Sequence, residues 1–204
     1  MEHNINRVQL CGSVETAPAF SHENHGVDFY AFTLSIPRLS GVDDVLPILA
    51  PAPLVQQLMP RVGDTVSLQG QLRSFNNRIG EGHRLLLSVF AHNLTAGGEV
   101  PCNRIQLSGV LCKSPTLRRT PLGRNICDVL LAVNRRYGRA DYLPCIAWGA
   151  VAQQLAACDV GERVTVEGRV QSRLYTKQTE AGSVEHTAYE VSIMRPAEVE
   201  EFLL

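Results

Sequence analysis

The sequence predicts an all-β protein built from two tandem five-stranded barrels, each with one short helix between its third and fourth strands. Three observations carry this expectation. The chain repeats itself at a nearly constant shift, each copy alternates apolar and polar residues in Val/Ile/Leu-rich runs, and glycines fall inside those runs rather than only between them.

The repeat comes first. Asn6-Arg7-Val8-Gln9-Leu10-Cys11-Gly12 returns as Asn103-Arg104-Ile105-Gln106-Leu107-Ser108-Gly109, a shift of 97. The same shift aligns Gly26 with Gly123, Asp44-Val45-Leu46-Pro47 with Asp141-Tyr142-Leu143-Pro144, and Gln56-Gln57-Leu58 with Gln153-Gln154-Leu155. One inserted residue makes it 98, and Val62-Gly63-Asp64 through Gly70 then matches Val160-Gly161-Glu162 through Gly168. The Gly/Pro stretch Gly97-Gly98-Glu99-Val100-Pro101 reads as a linker, which gives domains at 1–98 and 103–195 and a short acidic and apolar tail at 196–204.

In the second copy the pattern places strands near 102–111, 125–136, 141–147, 160–174 and 184–194, with a helix over Ala150–Ala157. Gly109 and Gly168 lie within strand runs, where glycine marks a bulge or the bend of a small closed barrel. Five strands, a helix after the third and glycine bends describe an OB-fold. That barrel hosts binders and enzymes alike, so function has to come from the residues on it.

Charge distinguishes the copies. The net charge of −1 hides −3 over residues 1–100 and +2 over 101–204, and +5 over 101–195 once Glu198, Glu200 and Glu201 are set aside. A phosphate-binding surface belongs in the second half. The six cysteines are scattered without Cys-x-x-Cys or zinc spacing and are expected as reduced, mostly buried thiols. No cofactor is expected. No run approaches the ~18 apolar residues of a membrane span, so no membrane partner is expected and the chain reads as cytoplasmic. Asp43-Asp44 is the only adjacent acidic pair outside the C-terminal tip, and strand neighbours point to opposite faces, which opposes shared metal ligation. With no Gly-rich phosphate loop and no Ser/His/Asp set, the reading is not an enzyme.

Ser114-Pro115-Thr116-Leu117-Arg118-Arg119, Val133-Asn134-Arg135-Arg136-Tyr137-Gly138-Arg139, Cys145-Ile146-Ala147-Trp148-Gly149 and Val160-Gly161-Glu162 through Tyr175 carry a resemblance along nearly the whole second copy. It resembles the bacterial single-stranded-DNA-binding proteins. Single strands are held without sequence preference by flat rings under the bases and cations along the phosphates. The resemblance implies that Tyr137, Tyr142, Trp148 and Tyr175 occupy the family's stacking positions, with Arg118, Arg135, Arg136, Arg139, Arg173 and Lys177 meeting phosphates. Taken alone, Tyr142 and Trp148 share strand parity with Ile146, so a buried face stays open, and the Arg135-Arg136 pair could be a solvated edge.

The first copy places Ser40, Val45, Pro51 and Asn77 at the four stacking positions and keeps, at Arg38, one charge of the basic run's three. Phe29, Tyr30 and Phe32 read as core, and Phe75 as a candidate for exposure. The first domain is therefore expected to have lost most of the DNA surface and to serve assembly or another partner. The resemblance further implies a homodimer with a four-barrel core, a cytoplasmic, nucleoid-associated place in a bacterium, and duty in DNA replication, recombination or repair, with replication and repair proteins as partners. The alternative is a replication-restart accessory whose barrels mainly bind proteins.

Overall fold

The structure, a computed structural model, describes residues 4–77, 84–179 and 182–197. In the first copy β1 (Asn6–Val14), β2 (Ala19–Asn24), β3 (Val27–Pro37) and β4 (Asp43–Pro51) lead into α1 (Ala52–Leu58), then β5 (Thr65–Asn77) and β6 (Arg84–Ala96). The second copy repeats the order with β7 (Cys102–Leu111), β8 (Thr116–Arg119), β9 (Asn125–Asn134), β10 (Ala140–Trp148), α2 (Gly149–Ala156), β11 (Arg163–Thr179) and β12 (Gly182–Pro196). Alternation makes these strands. Along β4 every second side chain from Asp44 to Ala50 is buried, and Leu34 and Leu46 in one core have their counterparts in Leu131 and Leu143 in the other, all fully buried.

The expected five strands per copy are present, and each copy adds one more. β2 and β8 are fully exposed edge strands, so they bury nothing that an apolar alternation could reveal. What makes them is the tight turn that follows, with Gly26 and Gly123 at φ 77° and 78°. The tail from Glu198 onward lies outside the described residues, while β12 runs through to Pro196.

All twelve strands form one sheet, in the order β2-β3-β4-β6-β5-β1-β7-β11-β12-β10-β9-β8. Read outward from its centre, the sheet has the same sequence of strands on both sides. Pairing of β1 with β3 and of β7 with β9 curls each half into a barrel. The bends fall at glycine. A Cβ on Gly70 would lie 2.2 Å from the Phe90 carbonyl oxygen and one on Gly168 2.1 Å from that of Ser192, each beside a register shift in its hairpin.

The two barrels meet through β1 and β7, antiparallel from Asn6 opposite Leu107 to Cys11 opposite Cys102. Two polar clamps related by the repeat lock this junction. Within the first barrel Asn6 donates to the Leu72 carbonyl and accepts from the Leu72 N–H, at 2.7 and 2.9 Å, and within the second Asn103 does the same with Val170 at 2.7 and 3.0 Å, Asn103 also reaching Asp44 across the junction at 3.3 Å. The carboxylate of Asp44 accepts the Ser172 N–H at 2.9 Å, and that of Asp141 accepts the Ser74 N–H at 2.7 Å. Arg38 pairs with Asp44 and donates to the Ser172 carbonyl, while Arg135 pairs with Asp141 and donates to the Ser74 carbonyl. The serine hydroxyls complete the pattern, Ser172 accepting from the Val45 N–H and Ser74 from the Tyr142 N–H. Asp44 and Asp141 are fully buried, and each carboxylate is satisfied from both sides of the junction: Asp44 by the Ser172 N–H and the Asn103 amide of the other copy and by Arg38 of its own, Asp141 by the Ser74 N–H and Arg73 of the other copy and by Arg135 of its own.

None of the six cysteines is in a disulfide. Cys11, Cys127 and Cys145 are buried and the other three half-buried. Burial pushes the Cys145 thiol well above its ordinary range, which keeps it protonated and inert. Among the described residues no helix is long and apolar enough to cross a membrane.

Candidate nucleic-acid interface

The turn between β9 and β10 sets the most exposed ring. The Arg135 N–H bonds the Arg139 carbonyl at 2.7 Å, closing a loop in which Tyr137 (φ 63°) and Gly138 (φ 67°) both take left-handed backbone. A tyrosine there costs of order 1–2 kcal/mol relative to ordinary backbone. The conformation holds its side chain 96% exposed between Arg136 and Arg139, which are exposed too. In the first copy Arg38 N–H bonds the Val42 carbonyl at 3.1 Å in the same way, but Leu39, Ser40 and Val42 stand where Arg136, Tyr137 and Arg139 do. The loop frame is common and its cargo is not.

Tyr142 and Trp148 lie near opposite ends of β10, whose odd positions Leu143, Cys145 and Ala147 are buried. Both rings stand on the other face, 46% and 40% exposed, and neither is core. Trp148 ends its strand at the N-cap of α2, where Gly149 (φ 58°) turns the chain. On β11 the Arg173 guanidinium lies 6.0 Å from the Tyr175 ring, and Tyr175 tilts against His186 of β12 at 5.6 Å. All four rings are therefore on the surface of the second barrel.

The cations divide. Arg136, Arg139 and Arg173 are exposed, and Arg136 and Arg139 share with Tyr137 a large cleft between the barrels. Arg118, on β8, is held by Asp128 through two hydrogen bonds of 2.5 and 3.1 Å. Lys177 belongs to β11, but its side chain lies outside the described residues. Arg135 has a structural role that the expectation did not include. Its Nε and Nη2 are engaged by Asp141 and the Ser74 carbonyl, so it braces the junction while also lining the cleft. Arg73, absent from the sequence-based set, shares Asp141 at 3.3 Å, and burial followed by the neighbouring Arg135 lowers its pKa. Two guanidiniums on one carboxylate leave this floor of the cleft net positive. Arg38 held the available signal: an arginine retained in both copies, while the rest of the basic run changes, belongs to the shared scaffold.

Behind this surface Glu167 ties β11 to its neighbours, accepting from Arg104 at 2.8 and 3.0 Å and from Arg195 at 2.9 Å. The Arg104 hydrogen bond, and then Arg195, hold its carboxyl below the ordinary 4.5 against the opposing effect of burial. A depressed carboxyl stabilises the fold above its unfolded-state pKa and loses that contribution as pH falls through the folded value. Thermal melts of wild type and Glu167→Gln, compared from about pH 6 to about pH 3, are expected to converge toward the acid end.

The family model described as the single-strand binding protein family matches residues 102–197. "Single-stranded DNA-binding protein B" of Bacillus subtilis is 39% identical over 83 residues, covering 37% of this chain and 74% of that protein. The chain belongs to the single-strand binding protein family. "Single-stranded DNA-binding protein 2" of Listeria innocua is 38% identical over 80 residues, 36% of this chain and 50% of that protein, so the chain spans only half of that longer relative. The family match covers the second copy. The wild-type single-stranded DNA binding protein from Thermus aquaticus superposes with a TM-score of 0.73 at 21% identity, over 94% of this chain and 91% of that one. At that identity it supports the fold alone, and it does so across both copies.

Proposed function

We propose that this protein binds single-stranded DNA, largely without regard to sequence, by stacking bases on Tyr137, Tyr142, Trp148 and Tyr175 and by pairing phosphates with Arg136, Arg139 and Arg173. The observation that carries the reading is that the second barrel exposes four rings, each of which a soluble core would otherwise claim, among cations of which three are unburied. Lys177 extends the same line on β11, and Arg118 joins it if phosphate displaces Asp128. No step of bond making or breaking is required of any residue, so the protein acts as a binder in bacterial replication, recombination or repair. Its place is the bacterial cytoplasm, with the nucleoid.

Trp148 is the chain's only tryptophan, so its emission reports on this surface alone. Titration with oligo-dT is expected to quench it, with an affinity that falls steeply as salt rises. Unchanged emission with no retention of the oligonucleotide would overturn the proposal.

The 1–98 domain supplies assembly in this reading. One chain already joins two barrels through β1 and β7, and two chains then give the four-barrel particle of the family. Light scattering at micromolar concentration is expected to give twice the 22.4 kDa chain mass, and a monomer mass would refute the dimer.

A further inference from the structure

The cleft between the barrels encloses about 1220 Å³ and is lined by both copies, with no acidic side chain in its lining among the described residues. The sequence-related position on the opposite side of the β1–β7 junction has different chemistry. There Leu39, Ser40 and Val42 replace Arg136, Tyr137 and Arg139, and Gln171, hydrogen-bonded to Glu190 at 2.7 Å, replaces Arg73. Arg7 also differs from its counterpart. Arg104 is engaged by Glu167, whereas the equivalent of Glu167 in the first copy is Gln69, so Arg7 brings its charge into the cleft without that carboxylate.

The first barrel adds rings at positions unrelated to the family's four. His22 stacks on Phe29 at 5.1 Å and 14°, Phe29 leans on Phe90 at 5.7 Å, and Phe90 meets His92 edge-on at 5.4 Å. The strand pairings align Phe90 and His92 with Ser192 and Met194, so this ladder has no counterpart in the second copy. Arg73 lies 6.0 Å over Phe90, and Phe75, 44% exposed, carries the Arg135 guanidinium 5.7 Å above its ring. Phe29 is buried behind this ladder, and the cleft itself is lined by His22, Phe75, Phe90 and His92 beside cations, with no carboxylate in the lining among the described residues. Rings beside cations are the features that hold a single strand.

Resting on the reading of the second barrel as a single-strand binder, we propose that the strand continues from Tyr137 into this cleft, so that the first barrel is a second contact surface built from its own residues. Phosphates meet Arg7, Arg136 and Arg139, and a base covers Phe75. The degenerate copy thus lost the family's stacking positions and presents others.

The full-length protein tests this with two oligo-dT strands, one of about 10 nucleotides, within the reach of a single barrel, and one about three times longer. Trp148 emission reports the second barrel in both titrations. Arg7→Ser and Phe75→Ser are expected to weaken the long strand by about tenfold while leaving the short one within about twofold, and Arg7→Ser is expected to lower the long strand's salt slope by about 1. A long strand carrying 5-iodouracil is expected to crosslink on irradiation to peptides containing His22 or Phe75. If Trp148 is quenched but both variants hold the long strand as wild type does and no first-barrel peptide is crosslinked, the cleft path is wrong while the second-barrel reading stands. If Trp148 responds to neither strand, both fall together.

Discussion

Asp141→Ala is expected to cost about 3 kcal/mol of folding stability, at the low end of the range of about 3–5 for removing one partner of a buried ion pair. The carboxylate is fully buried and receives the Ser74 N–H, Arg135 and Arg73. Its loss leaves an amide and two guanidiniums uncompensated. Because each arginine side chain keeps about 20% exposure, partial rehydration limits the penalty. Asp141→Asn keeps an acceptor for the Ser74 N–H and should fall between Ala and wild type. Urea unfolding of the three proteins checks the order. A stability for Asp141→Ala within about 0.5 kcal/mol of wild type, the scatter of ordinary surface changes, would mean that the clamp contributes little.

Trp148→Ala is expected to weaken single-strand binding by about 1–3 kcal/mol, the range for losing one base stack, while the melting temperature stays near that of wild type. The ring is 40% exposed at the end of β10, so removing it opens no cavity in the core. Measurement combines fluorescence anisotropy of a labelled oligonucleotide, since the intrinsic reporter is gone, with a thermal melt. Binding and stability falling together would mark Trp148 as structural.

Repetition made much of the fold legible. Each block of the repeat had to describe the same element twice, so the strands and helices follow the expected places closely: α2 over Gly149–Ala156 against an expected 150–157, and β7 over the expected 102–111. β2 and β8 escaped because an exposed strand paired along one edge has no buried face to impose alternation. Exposure of the four rings was half legible. Parity placed Tyr142 and Trp148 with Ile146, which is buried, and only the curl of the barrel separates that position from its exposed neighbours on the same face. Phe29 and Phe32 are core as expected, and Phe75 is exposed. The bracing role of Arg135 was not legible for a physical reason: its partner Asp141 is six residues away, but Ser74, which makes the contact a junction, is 61 away, and no local pattern carries a distance of that kind.

The β1–β7 seam has a consequence for dilution. Between separate chains such a contact would dissociate as concentration fell, but here one covalent chain holds both partners. Short linkers impose local concentrations in the millimolar range. The barrel pair should therefore persist intact on dilution, at levels where a contact between separate chains would come apart.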